Sequence, residues 1–166
     1  DTEDEGELCI GCAGGVDITV NYHYGLEDPT GTAFNINMTG LFGGHSGCDI
    51  HLQRGNSNKL MARLLLKLMN ECNIQIAKFN GGSLRNAIPR EAFATITVPS
   101  GKIDECRAII ASVESIYKSE FNTTDPNLKL ELVATDMPNS AANKVDASKM
   151  MHAINAVRNG MYRMSN

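Results

Sequence analysis

Little in this sequence points to nucleic acid, a membrane or an oxidising compartment. Fifteen Lys and Arg against 19 Asp and Glu leave a net charge of −4, where nucleic-acid binders carry a basic footprint. No run approaches the ~20 apolar residues that span a bilayer. The five cysteines (9, 12, 48, 72 and 106) are an odd number. Cys72 and Cys106 fall on apolar helical stripes, so reduced, cytoplasmic thiols fit better than a disulfide framework. Residues 1–7 read Asp-Thr-Glu-Asp-Glu-Gly-Glu, acidic where a secretory signal is basic and apolar. With no Met at position 1, the expectation is a piece cut from a longer cytoplasmic protein. Low-complexity segments and fixed-period repeats are absent too.

What is present suffices for one core: 166 residues, 42% of them hydrophobic. Residues 16–24 alternate strictly, with Val16, Ile18, Val20, Tyr22 and Tyr24 on one face, and predict a half-buried strand. After the turn signal at 27–31, Phe34, Ile36 and Met38 alternate with Asn35, Asn37 and Thr39, which predicts a hairpin. Leu60, Leu64, Leu68 and Cys72 interleave with Met61, Leu65 and Met69 as an amphipathic helix, capped near Asn56–Asn58. Strands are predicted at 74–79 and 92–98, a helix from Ile103 to Tyr117, and a strand carrying Leu128, Leu130, Leu132 and Ala134. A third helix starts after Asp146, presents Met150, Met151, Ile154 and Val157, and stops at Gly160. From 33 to 135 this is an α+β, ferredoxin-like split βαβ order: an antiparallel sheet with two helices on one face. An N-terminal hairpin strand and a C-terminal helix extend it.

Between the second strand and the first helix lies Gly40-Leu-Phe-Gly-Gly-His-Ser-Gly-Cys-Asp-Ile-His-Leu-Gln-Arg-Gly-Asn56, with four glycines within eight residues. Such a loop either turns tightly or lets something approach its backbone. His45 at its centre is the side chain most readily tuned for proton work near neutrality. A serine nucleophile at Ser46 is disfavoured, because position 48 is Cys and about ten residues separate Ser46 from the helix that should follow at once. His45, Cys48, Asp49 and His51 match no standard zinc spacing. Cys9-Ile-Gly-Cys12 lacks the helix of a redox motif, and no Lys-Ser or Lys-Thr closes a phosphate cradle. The bland readings are a His45 bonded to its own loop, and Arg85 and Asn86 as simple turn residues.

Several strings occur in order: Asp-Thr-Glu-Asp-Glu-Gly-Glu, Gly-Cys-Ala-Gly-Gly, Gly-Gly-His-Ser-Gly-x-Asp-Ile-His, Arg-Gly-Asn-Ser-Asn-Lys and Arg-Asn-Ala-Ile-Pro-Arg. Together they closely resemble the aminoacylhistidine dipeptidases, the Xaa-His, carnosine-cleaving bacterial branch of the zinc aminopeptidase and aminoacylase family. The resemblance implies a catalytic domain with a two-metal, usually zinc, centre, and an inserted lid or dimerisation domain. Residues 1–15 then correspond to a strand and loop of the catalytic domain. Residues 16–166 correspond to the lid, incomplete at its C-terminal side.

Carried over residue by residue, Asp1 matches a metal-ligating aspartate. His45 matches the lid histidine that binds the scissile carbonyl as it becomes an oxyanion, and Asn86 a substrate-binding asparagine. Neither Arg158 nor Arg163 can be assigned the family's lid arginine. The implied partners are a dipeptide, the catalytic domain of the same chain and a second copy in a homodimer, while the fragment alone should be inactive. The alternative is a non-catalytic ferredoxin-like module for ligand binding or assembly.

Overall fold

A computed structural model of the chain describes residues 5–8, 10–11 and 14–163. Phe34, Ile36 and Met38 on β2 (Thr32–Thr39) turn inward because the strand's period of two separates them from Asn35 and Asn37. Four antiparallel strands share the sheet in the order β4 (Gln75–Gly81), β6 (Ala92–Val98), β2 and β7 (Lys129–Ala134). The register sets Ile36 beside both Ala94 and Leu132, which continues the apolar face across three strands.

Two helices cover that face. α1 (Ser57–Cys72) starts at Asn56, whose side chain accepts the amide hydrogens of Asn58 and Lys59 at 3.1 and 3.2 Å. It buries Leu60, Leu64, Leu65 and Leu68. α2 (Ile103–Glu120) opens with Asp104 and Glu105, favourable against the positive end of the helix dipole, and buries Cys106, Ile109, Ile110, Val113 and Tyr117. The Tyr117 hydroxyl donates to the Leu60 carbonyl at 2.8 Å, a buried tie between the helices. Sheet, helices and strand order match the split βαβ expectation.

Two short pairings lie outside the main sheet. β1 (Leu26–Glu27) pairs with β8 (Ala141–Ala142), and β3 (Gly44–His45) with β5 (Ala87–Ile88). α3 (Lys144–Ala156) begins two residues before Asp146, since Asn143 is its cap and accepts the Asp146 amide hydrogen at 2.9 Å. It ends short of Gly160, where Val157 leaves helical geometry at φ −59° and ψ 131°, and the Lys59 ammonium collects its last carbonyls, at 2.9 Å from Ile154 and 2.6 Å from Asn155, and also that of Val157. A cation there complements the negative helix end.

The predicted hairpin strand over 16–24 does not form. β2 is a central strand, and both of its hydrogen-bonding edges are taken by β6 and β7. The alternating segment therefore cannot pair with β2 as a hairpin, and Val16, Ile18 and Val20 stay 86%, 79% and 82% exposed. Its far end is tied down instead through Asp146, which accepts from the Tyr22 hydroxyl at 2.7 Å and the Gly25 amide at 2.9 Å.

Cys48 is an exposed free thiol, while Cys72 and Cys106 are free and fully buried; Cys9 and Cys12 lie outside the described residues. Burial raises the Cys72 pKa and pushes that of Cys106 up to about 12. Since the thiolate is the reactive form, alkylation of the native chain followed by peptide mapping should label Cys48 and spare Cys72 and Cys106. Denaturant should make all three react.

Candidate functional site

The glycine loop is closed at its base by a residue from the other end of the domain. Asp125, buried in the turn after α2, accepts the Phe42 amide hydrogen on Oδ1 at 2.9 Å and the Gly55 amide hydrogen on Oδ2 at 2.7 Å. The start and end of the loop are thus pinned to one carboxylate. Gly40 permits the approach: it has φ +82°, and a Cβ there would lie 1.9 Å from the Asn127 carbonyl oxygen.

Beyond this base, β3 pairs with β5 so that His45 faces Ala87, and the Ser46 amide donates to the Asn86 carbonyl at 2.9 Å. Distant in sequence, His45 and Asn86 therefore sit on adjacent, hydrogen-bonded loops. Both are exposed, and the Asn86 side chain has no partner among the described residues.

Backbone groups orient the His45 ring. Nδ1 accepts amide hydrogens from Gly47 at 3.1 Å and Cys48 at 3.0 Å. A nitrogen that accepts two N–H groups carries no proton, so the neutral ring has its hydrogen on Nε2. Nε2 has no partner among the described residues, which leaves its N–H free to donate. His45 is thus bonded to its own loop, but only through one nitrogen.

The other candidates do not join it. Asp1 lies outside the described residues. His51 is exposed on a single 3-10 turn over Ile50–Leu52, and among the described residues no three His, Cys, Asp or Glu side chains gather to hold a metal. These residues do not by themselves fit a zinc centre. Arg85 donates to the Thr19 hydroxyl at 2.8 Å, and Arg158 stacks on the Tyr162 ring at 4.2 Å. Open recesses of about 510 and 590 Å³ flank the 81–90 loop. His45 and Asn86 line neither of them. They form an exposed ridge that offers hydrogen-bond donors to solvent.

Sequence reasoning missed Asp125. Its one signal is Asp-Pro at 125–126, indistinguishable from an ordinary turn. Asp125→Ala would strand two amides in a dry environment, at about 1–3 kcal/mol each. Denaturant melts should show a loss of about 2–6 kcal/mol, with hydrogen-exchange protection failing first at Phe42 and Gly55. An unchanged midpoint would mean the clamp contributes nothing.

Comparison with known proteins converges on one family. The peptidase dimerisation domain matches residues 36–125. The cytosol non-specific dipeptidase of Escherichia coli K12 is 41% identical over 167 aligned residues, covering 99% of this chain and 34% of its own. The crystal structure of aminoacylhistidine dipeptidase from Vibrio alginolyticus superposes with a TM-score of 0.79 at 34% identity, over 85% of this chain and 30% of that one. The chain spans about a third of each relative's length. With its four-stranded sheet, two covering helices and the match over 36–125, this chain belongs to the peptidase dimerisation domain family.

Proposed function

We propose that this chain is the lid and dimerisation part of a cytoplasmic, metal-dependent dipeptidase that cleaves Xaa-His dipeptides and works as a homodimer. In this reading residues 1–15 belong to the catalytic domain, and Asp1 ligates one ion of a zinc pair. The remaining ligands would come from the rest of the parent, as the resemblance implies. The names of the two relatives support a dipeptidase, and one of them supports a cytosolic setting.

The observation that carries the proposal is the pairing of β3 with β5, which presents the Nε2–H of His45 and the side chain of Asn86 on one ridge. During hydrolysis the scissile carbonyl oxygen gains negative charge as its carbon becomes tetrahedral. A fixed N–H aimed at that oxygen binds the transition state more strongly than the ground state, and so accelerates the step. Asn86 can both donate and accept, which suits holding the dipeptide in both states.

In the full-length parent, His45→Ala should lower kcat by roughly 10²–10³ while changing KM less. Asn86→Ala should act partly through KM, and His51→Ala should be near neutral. Histidine release from carnosine is the assay, and the 166-residue chain alone with added zinc should stay at the buffer blank. Near-normal kcat for a folded His45→Ala enzyme would return the loop to a structural role. Turnover by the isolated chain would defeat the lid reading.

A further inference from the structure

Two charged groups in the His45 loop have no part in the function proposed above. Asp49 and His45 are joined by a reciprocal pair of hydrogen bonds: Asp49 Oδ2 accepts the His45 amide hydrogen at 2.8 Å, and the Asp49 amide donates to the His45 carbonyl at 2.9 Å. These bonds close the turn from 45 to 49. Inside it, the amides of Gly47 and Cys48 both point at Nδ1. Arg54 bonds the residue just before β3 and approaches the Asp49 carboxylate. Its Nη1 donates to the Gly43 carbonyl at 2.7 Å and lies 3.7 Å from Asp49 Oδ2. Gly44 leaves room for the pair: at φ +142°, a Cβ there would sit 2.7 Å from both Arg54 Nη1 and Asp49 Oδ2.

We propose that Asp49 and Arg54 are positioning residues for His45, which hold the turn closed so that Nδ1 is kept as an acceptor and the ring proton stays on Nε2. A proton on Nδ1 would face two amide hydrogens, so the closed turn admits one neutral tautomer. With the turn open, Nδ1 is solvated and the ring exchanges between both forms. The 3.7 Å ion pair is long and partly exposed, and such pairs contribute little by themselves. The hydrogen bonds to the His45 amide and the Gly43 carbonyl do the holding. The value of this lock for catalysis rests on the oxyanion reading above; the position of the proton can be measured without it.

The test uses the 166-residue chain labelled with ring ¹⁵N-histidine, at about pH 8.5, roughly two units above the ordinary histidine pKa. Long-range ¹H–¹⁵N correlation distinguishes a pyridine-like from a pyrrole-like nitrogen. His23, His51 and His152 are exposed and serve in the same spectrum as references for a solvated ring. His45 should show a fixed pyrrole-like Nε2 and pyridine-like Nδ1. Asp49→Ala should move its two nitrogen shifts toward the averaged values of the references. Asp49→Asn keeps an oxygen for the His45 amide and should restore the fixed pattern.

An averaged His45 in the unmodified chain would overturn the proposal, as would a folded Asp49→Ala chain with the fixed pattern intact. Should Asp49→Ala fail to fold, Arg54→Met decides: averaging supports the clamp and an unchanged pattern overturns it. A fixed tautomer alongside a kinetically silent His45→Ala in the parent would defeat the oxyanion reading alone.

Discussion

Asp125 accepts the amide hydrogens of Phe42 and Gly55, and the shape of the whole glycine loop follows from that closure. A loop of this length has many conformations, and fixing its two ends to one carboxylate removes most of them. The carboxylate is buried and its bond to Gly55 is made away from water, so a missing partner there is costly. It comes from the turn after α2, which is set by the packing of α2 on the sheet and by the Tyr117 bond to α1. The order of the core is thereby transmitted to an exposed histidine through one side chain.

Above that base the constraints are local and nested. The β3–β5 pair fixes His45 relative to the 81–90 loop, the reciprocal His45–Asp49 bonds fix the turn, and two amides fix the ring. Each level uses backbone groups that have no regular partner in a loop, so satisfying them and orienting the site are one act. The α3 end is handled in the same way. Lys59 gathers its last carbonyls, and the adjoining Asn56 side chain donates to Asn159 at 2.8 Å. Sites built on such supports keep their geometry before a ligand arrives, which a group that acts by electrostatic preorganisation requires.

The amphipathic helices were legible in the sequence because their apolar spacing and the Asn56 cap are local properties. So was the ferredoxin-like order, since strands and helices alternate with clear periods. The fate of residues 16–24 was not legible. Alternation from Val16 to Tyr24 states that a strand is possible, but only the topology reveals that β2 has no free edge. α3 shifted for a related reason: Asn143 and Asp146 are both good caps, and the contest is settled by which side chain reaches the amide.

At the site, His45 stood out by its glycine setting, and the resemblance singled out Asn86. Their juxtaposition is a long-range fact that no local pattern contains. Asp49 was visible only as a poor metal ligand, while the structure uses its carboxylate on a backbone amide. Asp125 showed only an Asp-Pro pair that any turn could carry.

The central claim is that this loop delivers the Nε2–H of His45 to an oxygen that carries negative charge in the transition state. A crystal structure of the full-length parent with a phosphinate dipeptide analogue tests it directly, because the phosphinate oxygen stands in for the oxyanion. The account predicts His45 Nε2 at about 2.7–3.1 Å from that oxygen, the range of an oxyanion donor. A bound phosphinate with His45 turned away, and its oxygen held wholly by other groups, would contradict it.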